Sequence, residues 1–159
     1  MNMSRKRILF ATILGILVLT GVSCRYPQPV FSLHKPEYRI VGSWQISHTY
    51  LNGAEIDSTN SQLISETGYR ANAPGSFYYI YADYVLQVMT IYNGEIRYSS
   101  AGNWYFQNDY KDLVLQFNIL GKRYNYIAAV QKLSRRELIY EYDDEAGNHW
   151  KIMMNSRSN

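Results

Sequence analysis

From Ile40 onward, apolar and polar residues alternate with a period of two, the pattern of strands that bury one face. Ile40, Gly42, Trp44, Ile46, His48 and Tyr50 fall on one face of a first strand. Val41, Ser43, Gln45, Ser47 and Thr49 fall on the other, mostly polar, face. The alternation predicts further strands at 76–82, 84–92, 95–100, 102–107, 113–119, 124–130, 138–142 and 147–154. Turn residues stand between them: Asn52-Gly53, Asn93-Gly94, Gly121-Lys122 and Ala146-Gly147-Asn148. Asn-Gly between alternating runs favours a tight hairpin because both residues tolerate positive φ. Between Ala54 and Gly75 the pattern fails, and a long loop is expected there, with a short strand or helical turn around Leu63–Thr67. Short strands joined by tight turns make an antiparallel up-and-down meander of about eight to nine strands. A sheet with one apolar face must cover it, and closing on itself also removes the exposed edges. The expected fold class is therefore all-β, a barrel ahead of a sandwich.

The N-terminus follows a different rule. Arg5, Lys6 and Arg7 precede an uncharged apolar run from Ile8 to Leu19. That run falls short of the roughly 20 residues that a spanning helix needs and matches the hydrophobic region of a signal peptide. It ends in Leu19-Thr20-Gly21-Val22-Ser23-Cys24, and Cys24 is the only cysteine of the chain. This stretch resembles the lipobox of bacterial lipoproteins, with small Ser23 just before the cysteine and Gly21 where Leu is usual. The resemblance implies a cysteine acylated with palmitate-like chains, which becomes the first residue of a membrane-anchored protein. Arg25, in place of a retention Asp, implies sorting to the outer membrane, and the lack of an acidic cluster after it implies the periplasm-facing leaflet. The expected organisation is a signal-peptide helix over 1–23, a proline-containing tether over 24–37 and one β-barrel domain over 38–159.

Charge changes its meaning once the leader is removed. The 159 residues carry 16 Lys and Arg against 13 Asp and Glu; loss of residues 1–23 leaves 136 residues with 16 − 3 = 13 basic against 13 acidic. A neutral mature chain has no electrostatic reason to bind nucleic acid.

Candidate chemistry is sparse. His34, His48 and His149 are far apart, no metal-ligand or nucleophile-elbow spacing occurs, and neither catalysis nor a cofactor or metal is expected. A nucleophile would have to be assembled in space, for example from Ser47 or Ser99 near His48. Asp143-Asp144-Glu145 lacks the alternating ligands of a calcium loop and reads as a hairpin tip. The unusual count is 16 Tyr against 5 Phe and 3 Trp. Tyrosine suits strands and half-wet surfaces, where a ring is buried and a hydroxyl finds a partner. Phe77, Tyr79 and Tyr81 share one face of a strand, and Tyr78 and Ile80 share the other, so both faces should meet something.

Gly42-Ser43-Trp44 on the first strand, Gly102-Asn103-Trp104 later, then Asp112–Phe117 and Val130–Tyr140 follow one another in an order that resembles the lipocalin-like domains of bacterial lipoproteins. The resemblance spans about Tyr38 to Met154. It implies a barrel whose closed end is plugged by Trp44, with Arg135 or Arg136 over it, and whose interior takes a small hydrophobic or amphipathic ligand. The expected lining is Trp44, Ile46, His48, Phe77, Tyr79, Met89, Phe117, Tyr124 and Tyr140. The alternative is a filled barrel that docks on a protein of the cell envelope, with an exposed aromatic patch around Tyr78, Tyr92 and Tyr105.

Overall fold

The computed structural model describes residues 35–56, 70–92, 95–119 and 121–157. The leader, Cys24, the tether through His34, the Leu63–Thr67 segment and the Asn93-Gly94 turn lie outside the described residues.

A short helix, α1 (Pro36–Ile40), precedes nine strands. These are β1 (Gly42–Leu51), β2 (Ala54–Ile56), β3 (Phe77–Ile80), β4 (Val85–Tyr92), β5 (Glu95–Gln107), β6 (Asp112–Ile119), β7 (Lys122–Leu133), β8 (Glu137–Asp143) and β9 (His149–Ser156). From β3 to β9 each strand pairs antiparallel with the next. Closure comes from β1, which pairs with β9 along one edge and with β3 on the other. Eight strands thus form a closed barrel. The extra strand β2 folds back on the last residues of β1, through a turn in which Asn52 and Gly53 both have positive φ (51° and 82°). The meander expected from alternation is the fold observed, and the architecture is compatible with calycin-type barrels.

Three local differences have physical causes. Pro36 and Glu37 open α1, where a proline at the first turn costs no hydrogen bond. Ile40 ends that helix fully buried and is not a strand residue. Residues 95–100 and 102–107 form a single strand, because Gly102 is a site of close packing within β5 and not a break. A Cβ there would lie 1.9 Å from the Gln116 carbonyl oxygen and 2.6 Å from Phe117 Cβ.

The barrel has two distinct ends. α1, the β3–β4, β5–β6 and β7–β8 connections and Arg157 share the end that the expected tether would join, the tether end. The β1–β2 turn, the segment entering β3 and the β8–β9 loop share the far end. In the β8–β9 loop, Asp144 Oδ1 accepts from the amides of Ala146 (2.8 Å) and Asn148 (2.9 Å), and Asp144 Oδ2 accepts from Trp150 Nε1 (2.9 Å). The acidic run is a self-capped hairpin tip, as its sequence suggested.

Candidate functional site

The barrel interior is the candidate site, and β1 sets its phase. Trp44 and Ile46 point inward and are buried. Trp44 Nε1 donates to the Ile40 carbonyl at 2.6 Å, so α1 caps the tether end directly over the indole. Arg39 of α1 reaches across this end and donates from Nη1 to the Leu133 carbonyl at 3.3 Å. Arg135 and Arg136 are exposed in the β7–β8 connection.

Past Ile46 the β1–β9 register slips by one residue, as a β-bulge does. The bulge reverses the inward and outward sense of everything beyond it. Thr49 is therefore buried, whereas His48, expected inside, is exposed and pairs through Nδ1 with Glu55 Oε1 at 2.6 Å. Ser47 Oγ donates to the Met153 carbonyl (3.1 Å), and Ser99 Oγ accepts from Gln87 Nε2 (3.1 Å).

Register corrects three more placements. Tyr78 pairs with Trp44 and Val88, both inward, so Tyr78 and Ile80 enter the core. Phe77, Tyr79 and Met89 consequently stand half-buried on the outer face, with the Phe77 and Tyr79 rings stacked at 6.3 Å. Tyr78 cannot belong to an exposed patch; Tyr105 is exposed, and the Tyr92 side chain lies outside the described residues. Phe117, Tyr124 and Tyr140 are buried inside as expected.

The interior is occupied by the protein itself. Trp44, Trp104, Trp150, Tyr78 and Tyr140 are among its fully buried side chains. At the far end a 3₁₀ turn, Arg70–Asn72, enters the barrel, with Ala71 and Asn72 both wholly buried. Tyr78 OH donates to the Ala71 carbonyl (3.2 Å), Thr49 Oγ1 to the Asn72 carbonyl (2.6 Å), and Asn72 Nδ2 to Tyr142 OH (2.5 Å). The amide of Gly75 donates to the Ile46 carbonyl, and that of Ile46 to the Ser76 carbonyl, both at 2.9 Å. Nothing local in 70–76 announces this insertion, since its residues are small or polar without periodicity. Thr90 was more legible, because it continues the inward phase of Leu86 and Val88.

Around this turn lies a cluster of hydroxyls. The rings of Tyr126 and Tyr142 stack at 4.2 Å, and Tyr140 lies beside Tyr142. Burial holds the phenols of Tyr78, Tyr126 and Tyr140 protonated well beyond the ordinary tyrosine range, and neighbouring tyrosines add to the shift. Five buried atoms of this region have no well-formed hydrogen bond to protein: Tyr126 OH, Tyr140 OH, Thr90 Oγ1, Ser76 Oγ and Asn72 Oδ1. Groups of this kind ordinarily hold ordered water or a small polar guest.

Among the described residues no three His, Cys, Asp or Glu side chains come together as a metal site, and no helix is long and apolar enough to cross a membrane. Neither the protein-family models nor the curated proteins searched contain a match to this chain.

Proposed function

We propose that the chain is an acyl-anchored, outer-membrane lipoprotein whose lipocalin-like barrel acts without catalysis, as an interaction module of the cell envelope. The observation that carries this reading is the occupied interior: three tryptophans and the 70–76 segment fill the space where a carrier would hold its cargo. An eight-stranded barrel has room for its own side chains or for one small ligand, and here large side chains take that room. The outer face offers the stacked Phe77–Tyr79 pair as the contact region for a protein partner. The lipobox-like Leu19–Cys24 sequence supports the anchor.

A second reading is favoured by one observation. The buried hydroxyls around Asn72 that lack a well-formed hydrogen bond would suit a small guest with a polar end. The two readings separate in native mass spectrometry of the processed protein purified from membranes. The interaction reading expects the polypeptide-plus-acyl mass alone, together with one discrete adduct when a photo-crosslinker replaces Tyr79 in cells. A stoichiometric extra mass that solvent extraction removes, with no adduct, would transfer the assignment to ligand binding.

A further inference from the structure

Large exposed apolar side chains are unevenly distributed over the barrel. Among the described residues six are exposed, and four of them lie at or near the tether end: Tyr38 (72%), Tyr84 (52%), Tyr81 and Tyr105, while Ile127 stands midway along β7. Only Ile96 sits at the far end. Tyr38 is on α1, and Tyr81 and Tyr84 bracket the β3–β4 connection. Tyr105 and Ile127 flank Val114, two residues into β6 from its tether-end start and so about 7 Å from that rim. Val114 faces outward yet is buried between them, so the three form an apolar row across β5, β6 and β7, separated from the rim by Gln107 and Asp112.

Tyr84 is held in place. Its backbone has a φ of 65°, unusual for a bulky residue, and its carbonyl accepts from the Trp104 amide at 3.0 Å. Its ring lies 5.5 Å from that of Trp104, whose Nε1 donates to the Tyr81 carbonyl at 2.8 Å. The loop thus presents two half-exposed tyrosines on a buried indole.

Charge follows the same polarity. The tether-end segments 35–41, 81–84, 108–111, 134–136 and 157 carry six basic residues, Lys35, Arg39, Lys111, Arg135, Arg136 and Arg157, against Glu37, Asp83 and Asp109. The β8–β9 loop at the far end carries Asp144 and Glu145 and no base. Ten residues separate Cys24 from Lys35, a reach of at most about 35 Å.

We infer that the tether end is a second membrane contact, a docking surface for the interface of a bilayer containing anionic phospholipid. Tyrosine rings take the headgroup level, where an apolar body and a wet hydroxyl are both accommodated. The excess of lysine and arginine adds attraction to acidic headgroups. The orientation rests on the anchored reading given above; the surface itself does not. The far end, with its acidic hairpin tip, is then turned away from the membrane.

The test couples the full chain to phosphatidylethanolamine–phosphatidylglycerol vesicles through Cys24. The natural acyl groups serve or, where mass spectrometry finds none, a maleimide lipid on that thiol. Hydroxyl-radical oxidation is then compared on vesicles and free in solution. Docking should lower oxidation of Tyr38 and Tyr84 at least about threefold and leave exposed His48 and His149 unchanged. Equal oxidation at both ends overturns the inference, whichever linkage was used. A missing acyl mass on Cys24 overturns only the anchored reading. Protection of Tyr84 should also weaken by about threefold in the Arg135→Gln/Arg136→Gln protein. Protection indifferent to those charges would reject the anionic-lipid assignment.

Discussion

At Gly102 the side chain is absent because the neighbouring strand occupies its place. The Gln116 carbonyl and Phe117 stand where a Cβ would go, and Phe117 in turn packs against Tyr78, Tyr124 and Tyr126. Gly102→Ala must therefore separate β5 from β6 or displace the aromatic cluster. It should destabilise the protein by about 3 kcal/mol, the upper range for overpacking, as read from urea unfolding monitored by tryptophan fluorescence. A change below about 0.5 kcal/mol would mean that the two backbones do not approach so closely. The sequence displayed this glycine, but as a break between two strands. Close approach is a property of the partner strand, which local alternation does not contain.

Elements were legible where one face is apolar and the other polar. β6, β7 and β8 alternate in this way, and their inward residues were assigned correctly from spacing alone: Phe117, Tyr124 and Tyr140. β3 is aromatic on both faces, so its phase had to come from pairing with Trp44, and spacing alone placed Phe77 and Tyr79 on the wrong side. In β1 the bulge after Ile46 exists only in the pairing with β9, and so alternation alone puts His48 inside. The turn at 70–72 has the sequence pattern of a loop, yet its energetics are those of core. Asn72→Ala removes the donor to Tyr142 OH in a buried setting and should cost about 2 kcal/mol. Thermal and urea unfolding measure this directly. An effect near zero, as at an exposed loop position, would place the turn outside the barrel.

For the molecule as a whole, the buried phenols link stability to pH. Tyr78, Tyr126 and Tyr140 keep their protons in the folded state far beyond the usual range, whereas in the unfolded chain each releases its proton near pH 10. Above that point the folded state binds more protons than the unfolded one. Stability should thus be intact below about pH 10 and fall as pH rises beyond it. The tyrosinate absorbance of these residues should rise together with the loss of folded circular dichroism; full tyrosinate formation in a folded barrel would contradict their burial. Closure has a separate consequence, in the order of events. Trp44 pairs with Ser156, so the first barrel strand is completed only by a residue 156 − 44 = 112 positions later. No intermediate that lacks β9 can seal the barrel, and contacts this distant in sequence form slowly. In a chain exported as proposed above, the same topology would leave the barrel open until β9 has crossed the membrane.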